Sequence, residues 1–243
     1  MTDNAILTNP GGRDNNEDYV MKAAFGEDMC YILCDGLGGH ECGEVASSEV
    51  AKYVGKMFCE RGDYPEFLDD AFRGAQQMLL DLQEERHMQN AMKTTLVVLV
   101  VTKEHIKWAH IGDSRLYHIY NNGENYERTR DHSMVQLLVD MGEIQEKDIR
   151  THEDRNKVLR VMGAEWSTKS YDKSGVLERN GTPHAFALMT DGFWEYVYEE
   201  EMLRLQKESA TCEEWLKGME LYVRERADMT RTDNYSAICV RVS

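Results

Sequence analysis

Three times an apolar, strand-like run delivers an aspartate to a small residue: Tyr31-Ile-Leu-Cys-Asp35-Gly36, Trp108-Ala-His-Ile-Gly-Asp113-Ser114 and Phe186-Ala-Leu-Met-Thr-Asp191-Gly192. A fourth acid, Asp233, is the mirror image, leading through Asn234 into the apolar run that closes the chain. Taken singly, Asp-Gly after a strand is a turn, because aspartate bonds its own backbone and glycine accepts left-handed geometry. Taken together, carboxylates on strand ends of one sheet system would repel one another if those ends converged, unless a cation lay between them. Oxygen-only sites of that kind suit hard cations such as Mg²⁺ and Mn²⁺, which keep several of their waters. Glycine at position 36 would let a main-chain carbonyl approach a metal closely, on a strand that supplies rigidity.

Other residues compete for chemical roles. Cys30, Cys34, His40 and Cys42 can be written as a zinc cluster, but they form no paired CxxC, and alternation sets Cys30 and Cys34 on one strand face. His40 is read as a loop hydrogen-bonding residue rather than a catalytic acid. Asp131-His132-Ser133 precedes a helical pattern near Met134 and is read as its cap. Arg115 is read as an ion-pairing residue of core or surface, and Trp194 and Tyr196 as packing.

The acids depend on the elements that carry them. Runs rich in Val, Ile, Tyr or Phe predict strands at Met29–Cys34, Thr95–Val101, Lys107–Ile111, Arg115–Tyr120, His184–Met189 and Tyr235–Val242. The last alternates, with Ile238, Val240 and Val242 on one face and Ala237, Cys239 and Arg241 on the other, and is predicted half-buried. Asn122-Gly123 predicts a hairpin, since both residues accept positive φ, with Tyr126 on the returning strand. Leu68, Phe72, Ala75, Leu79 and Leu82 form one helical stripe; Ala46, Val50, Tyr53 or Val54, and Met57 form another. Two long helices are therefore predicted between Gly43 and Arg86, and a further helical region over about Glu199 to Asp228. Segregated helices and hairpin-linked strands indicate α+β layers, an antiparallel sheet covered by helices.

Bulk properties restrict the function. The 243 residues carry a formal charge of −16, which repels nucleic-acid backbones and suits a protein that gathers divalent cations. Most of those acids are read as solvated surface. No apolar run has membrane-spanning length and no signal core or lipidation motif stands at either end, so the chain is expected to be cytoplasmic and away from membranes. Six cysteines without a CxxC fit reduced thiols. Three prolines and no low-complexity tract mark no linker, so residues 1–243 are expected to form a single domain.

An ordered set of segments resembles one family closely: Gly12-Arg13-Asp-Asn-Asn16-Glu17-Asp18, Asp35-Gly-Leu-Gly-Gly-His-Glu-Cys-Gly-Glu44 with Ala46-Ser47, Thr94-Thr95-Leu96, Ile111-Gly-Asp113-Ser-Arg115-Leu-Tyr117, Thr129-Arg-Asp131-His-Ser133, Arg155-Asn156-Lys-Val-Leu159-Arg160, Thr190-Asp191-Gly192 and Asp233-Asn234-Tyr-Ser236. In this order, from residue 12 to 236, they resemble the bacterial metal-dependent protein phosphatases of the protein phosphatase 2C type. The resemblance implies a β-sandwich of two antiparallel sheets flanked by helix pairs, with a binuclear centre of Mn²⁺ or Mg²⁺ at one end. It implies that Asp35 bridges the two ions, that the Gly36 carbonyl binds one, and that Asp191 and Asp233 hold the other. Glu17 and Asp18 would bind the second ion directly or through water, Asp113 would serve a third, weaker ion, and Arg13 would grip the substrate phosphate. Residues from about 141 to 160 align with a flap beside the site. Animal-type members place histidine directly after Asp-Gly as proton donor; Leu37 stands there, which leaves the general acid open.

The implied activity is hydrolysis of phosphoserine and phosphothreonine in proteins by a metal-bridging water, opposing a bacterial Ser/Thr kinase. The alternatives are a catalytically weak phosphoprotein-binding module of the same fold and a small-molecule phosphatase. Retention of Asp35, Asp191, Asp233 and Arg13 favours the enzyme.

Overall fold

The computed structural model describes residues 2–37, 42–88, 91–166 and 170–243, so His40 lies outside the described residues. The chain opens with β1 (Thr2–Asn9), β2 (Asp18–Phe25) and β3 (Asp28–Leu37), followed by helices α1 (Cys42–Arg61) and α2 (Phe67–Glu85). Strands β4 (Lys93–Thr94), β5 (Leu96–Val101), β6 (His105–Ile111), β7 (Arg115–Tyr120) and β8 (Asn125–Arg128) come next, then α3 (Met134–Asp140). The short β9 (Asp172–Lys173) and β10 (Leu177–Glu178) precede β11 (His184–Met189), the single-turn α4 (Asp191–Trp194), α5 (Glu199–Glu208), α6 (Cys212–Arg226) and β12 (Tyr235–Val242).

Every named strand pairing is antiparallel. One sheet runs β1-β12-β11-β7-β8; the other runs β10-β6-β5-β3-β2, with β4 on β3 and β9 on β6. They face each other across a dry layer that includes Tyr31, Leu33, Val97, Leu99, Leu116, Phe186, Leu188, Ile238 and Val240. The predicted stripes cover the outer faces. Ala46, Val50 and Val54 of α1 and Leu68, Phe72, Ala75 and Leu79 of α2 pack on β3 and β5. Trp215, Leu216, Met219 and Val223 of α6, with Met202 of α5, pack on β11 and β12. This is the expected α+β sandwich with a helix pair on each side.

Three differences from the sequence reading have physical causes. Tyr235–Val242 is buried on both faces, because Ile238, Val240 and Val242 face the other sheet while Ala237 and Cys239 lie under the helices. The helical region from Glu199 breaks at Ser209, and Thr211 starts a new helix by accepting the Glu214 N–H. β1 and β2 had no counterpart among the predicted strands. Both border their sheets, and the polar residues that β1 needs on its half-exposed face hide it from an apolar-run criterion. The hairpin reading stands: φ is +54° at Asn122 and +83° at Gly123, and Tyr126 returns opposite Ile119.

Candidate active site

The antiparallel order brings the acids together. Asp35 lies near the C-terminal end of β3 and Asp191 just beyond β11, whereas Asp18 opens β2 and Asp113 and Asp233 precede β7 and β12. Strands of alternating direction therefore present all five at one end of the sandwich. Register completes the approach: Asp18 is the direct cross-strand partner of Asp35, and Met189 is the partner of Ala237. A cavity of about 390 Å³ opens there, lined by Arg13, Asn15, Glu17, Asp35, Gly36, Leu37, Asp113, Asn156, Val158, Asp191, Asp233 and Asn234. Asp18 lies beneath it, 6% exposed.

Close backbone approach makes this possible. A Cβ at Gly36 would lie 2.3 Å from the Gly43 carbonyl oxygen at the start of α1 and 2.7 Å from that of Glu17, so this glycine is demanded by packing as well as by access. A Cβ at Gly192 would lie 2.1 Å from the Asn234 carbonyl oxygen. Asn234 ties the loops, accepting from the Glu17 N–H at 2.7 Å and donating to the Pro10 and Asn15 carbonyls. The Ser47 hydroxyl donates to the Glu17 carbonyl, and the Thr95 N–H and Thr94 hydroxyl donate to that of Asp35. The Trp194 indole donates to the Asp113 carbonyl at 3.0 Å.

The charges are badly placed unless something offsets them. Burial, and then the neighbouring acids Asp191, Asp18, Asp113 and Asp233, push the Asp35 carboxyl well above its ordinary range. Burial and Asp191 do the same to Asp113, and burial and Asp233 raise Asp191. Burial pushes Asp18 up to about 8 although the Ser236 and Thr190 hydrogen bonds oppose it, and its Oδ1 has no partner. Glu17 is raised by burial and by Asp233. An orphaned buried carboxylate oxygen beneath a cavity whose acids are all oxygen donors fits a hard divalent cation. Three or more ligand atoms lying within 4.8 Å of one another occur, among the described residues, only at His110, His132 and Asp172.

The structure brings Arg13, Glu17, Asp35, Gly36, Asp113, Asp191 and Asp233 to one cavity and sets Asp18 under it. Arg13 Nη2 donates to Asp233 Oδ2 at 3.0 Å, and both side chains are about half exposed. Cys30 and Cys34 are buried in the helix-covered core, and Cys42 reaches Met88 Sδ, which gives the zinc reading no support. Ser133 alone of the Asp131-His132-Ser133 segment caps α3. Asp131 instead pairs with the buried Arg115 at 2.7 Å. His132 Nδ1 accepts from the Gly112 N–H, which leaves Nε2–H to face Asp172 Oδ2 at 3.2 Å. That tautomer makes His110, His132 and Asp172 a brace for the Gly112-Asp113 turn rather than a metal site. The individual roles of Asn234 and Thr190, which hold Glu17 and Asp18, had not been assigned from sequence. Each acts through a partner remote in the chain, so no local signal could have found them.

A family model described as Protein phosphatase 2C matches residues 12–231. The serine/threonine protein phosphatase PstP of Mycobacterium tuberculosis is 28% identical over 214 residues, which cover 87% of this chain and 40% of that protein. The chain thus spans about 40% of the length of this relative. Protein phosphatase PhpP of Streptococcus pneumoniae is 32% identical over 65% of this chain and 67% of its own. Among solved structures, serine/threonine phosphatase Stp1 of Staphylococcus aureus superposes with a TM-score of 0.87 at 29% identity, covering 100% of this chain and 96% of that one. The catalytic domain of PstP in complex with two manganese ions gives a TM-score of 0.82 at 26% identity, covering 100% and 99%.

Proposed function

Because the chain belongs to the protein phosphatase 2C family, we propose that it is a metal-dependent phosphatase that hydrolyses phosphoserine and phosphothreonine in proteins, opposing a Ser/Thr kinase in the cytoplasm. No described helix is long and apolar enough to cross a membrane. The observation that carries the reading is the set of buried, mutually repelling carboxylates at one end of the sandwich, with an arginine at its rim. Asp35, the Gly36 carbonyl, Asp191 and Asp233, with Glu17 and Asp18, would hold two Mn²⁺ or Mg²⁺ ions, and Asp113 a third. Bound there, such ions supply a nucleophile from water and offset charge on the transferring phosphoryl group.

This chain's own residues do the remaining work. The Arg13 guanidinium uses one nitrogen on Asp233 and keeps the rest of its planar fork for phosphate oxygens. Asn156 and Val158 close the cavity from the side of residues 141–160, the proposed flap of a single 1–243 phosphatase domain. That segment is pinned where Arg150 donates to the Val197 carbonyl at 3.2 Å and to Glu199 at 2.9 Å. No histidine lines the cavity among the described residues. The test is turnover of p-nitrophenyl phosphate and phosphothreonine peptides with and without Mn²⁺. Metal-dependent release of phosphate from both is expected; no turnover of either at saturating Mn²⁺ refutes the proposal.

A further inference from the structure

Thr190 joins the end of β11 to α4, at the position where a threonine hydroxyl ordinarily accepts an N–H of the first helical turn. It makes no such bond here. The side chain is fully buried, and its hydroxyl donates instead to Oδ2 of Asp18, 172 residues away, at 2.9 Å. A local rule set aside in favour of a remote acid is expected where function constrains a residue.

The surrounding bonds fix the direction of this one. The Ser236 N–H donates to the Thr190 hydroxyl at 2.9 Å, so that oxygen is already an acceptor and its own proton needs a partner. Two acceptors stand within reach, Asp18 Oδ2 at 2.9 Å and the Ser236 carbonyl at 3.4 Å. The carbonyl already takes the Thr190 N–H at 3.0 Å, which leaves the carboxylate as the nearer and less occupied choice. The Ser236 hydroxyl also lies beside Asp18 but meets the Thr8 hydroxyl at 2.9 Å. Asp18 Oδ2 is thereby held by Thr190, and Oδ1 is left without a partner. The carboxylate so held is the cross-strand neighbour of Asp35 and lies near enough to Asp191 and Asp233 for their charges to act on it. Hydrogen bonds from a second layer of residues are what orient ligating carboxylates in metal sites.

We propose that Thr190 is a positioning residue of the metal centre: its hydroxyl fixes the rotation of the Asp18 carboxylate, holding Oδ2 so that Oδ1 is the oxygen left to serve an ion or an ion's water. The proposal rests on the metal-dependent phosphatase reading and extends it to a buried residue that does not line the cavity.

The experiment titrates the metal-free full chain with Mn²⁺ in a calorimeter, for the wild type, Thr190→Val, Thr190→Ser and Asp18→Asn. Valine keeps the shape and loses the hydroxyl; serine keeps the hydroxyl and loses the methyl. Thr190→Val is expected to weaken one Mn²⁺ site about tenfold or more, as loss of a partner of a ligating carboxylate does, and Thr190→Ser to stay within about threefold of the wild type. A packing role predicts the reverse order, with valine retaining affinity and serine losing it, and that result overturns the proposal. Asp18→Asn should weaken the same site at least as much, and Thr190→Val added to it should cost no more than about twofold further. An unchanged Mn²⁺ affinity in Asp18→Asn overturns the proposal even if Thr190→Val does not fold. A wild type that neither binds Mn²⁺ nor hydrolyses p-nitrophenyl phosphate would instead overturn the phosphatase reading itself.

Discussion

Asp131→Asn is expected to cost about 3 kcal/mol of folding stability through the arginine it leaves behind. Arg115 and Asp131 are each 1% exposed and meet fork to fork, Nε on Oδ1 at 2.9 Å and Nη2 on Oδ2 at 2.7 Å. Removing one partner of such a buried pair costs roughly 3–5 kcal/mol, because the remaining charge is stranded. Three contacts keep the cost at the lower end: Nη1 donates to the Tyr117 hydroxyl at 3.1 Å, Glu199 lies 3.9 Å away, and the guanidinium sits 3.4 Å from the Trp194 ring centroid. For a chain of this size about 3 kcal/mol lowers Tm by roughly 6–12 °C. Urea midpoints at pH 7 for Asp131→Asn, Arg115→Met and the double variant form a cycle in which the double should lose at least about 1.5 kcal/mol less than the sum of the singles. Additivity within about 0.5 kcal/mol would refute the coupling. Linkage gives a second readout. Burial pushes the Asp131 carboxyl up, but the charge and hydrogen bonds of Arg115 outweigh it and hold the folded value below the ordinary one. The contribution is therefore complete above about pH 4, where the unfolded chain titrates, and is lost as pH falls through the lower folded value. The gap between wild type and variant should stay constant above that pH and narrow only below it.

The carboxylate cluster predicts that Mn²⁺ raises Tm, by about 2.7 kcal/mol of stabilisation at a hundredfold excess over Kd, and that EDTA reverses the rise. Asp191→Asn should raise the Tm of the EDTA-treated protein by relieving repulsion while shrinking the Mn²⁺ increment; a full increment in scanning calorimetry would contradict the ligand assignment. Gly36→Ala should cost at least about 1–3 kcal/mol in urea titration, because backbone atoms of Gly43 and Glu17 stand where the methyl must go. Gly175→Ala, with nothing within 4 Å of its Cβ, should change stability by less than about 0.5 kcal/mol. His132 is held neutral, its pKa drawn down to about 3 by burial, His110 and Arg160 against the pull of Asp172. The unfolded chain takes up that proton near pH 6.5, so this part of the stability is complete above that value. It should fall with acidification towards pH 3 at up to about 1.4 kcal/mol per pH unit. His132→Asn should flatten the dependence of the urea midpoint on pH between 6.5 and 4.5.

Much of the fold was legible because its signals are local. The runs 96–101, 115–120, 184–189 and 235–242 read as strands from β-branched and aromatic residues, and the stripes of α1 and α2 from their period. β1 was not legible, since a border strand with one wet face needs no apolar run. The burial of both faces of Tyr235–Val242 was missed because alternation reports side-chain direction and not what covers each side. Asp131 shows the same limit at the site. Beside Ser133 it resembles a cap, and only the tertiary position of Arg115, 16 residues earlier, makes it the partner of a buried guanidinium.

The sequence by itself determined which residue types stand at the strand ends, Asp35, Asp191 and Asp233 each beside a glycine or an asparagine, and with the other ordered segments it determined the family. The tertiary structure alone decided that these acids face one another and that Asp18 lies under the cavity with an orphaned oxygen. The physical reason is separation along the chain. Glu17 is held by Asn234 across 217 residues and Thr190 by Asp18 across 172, contacts fixed by sheet register and by the packing of one sheet on the other, which no local propensity encodes.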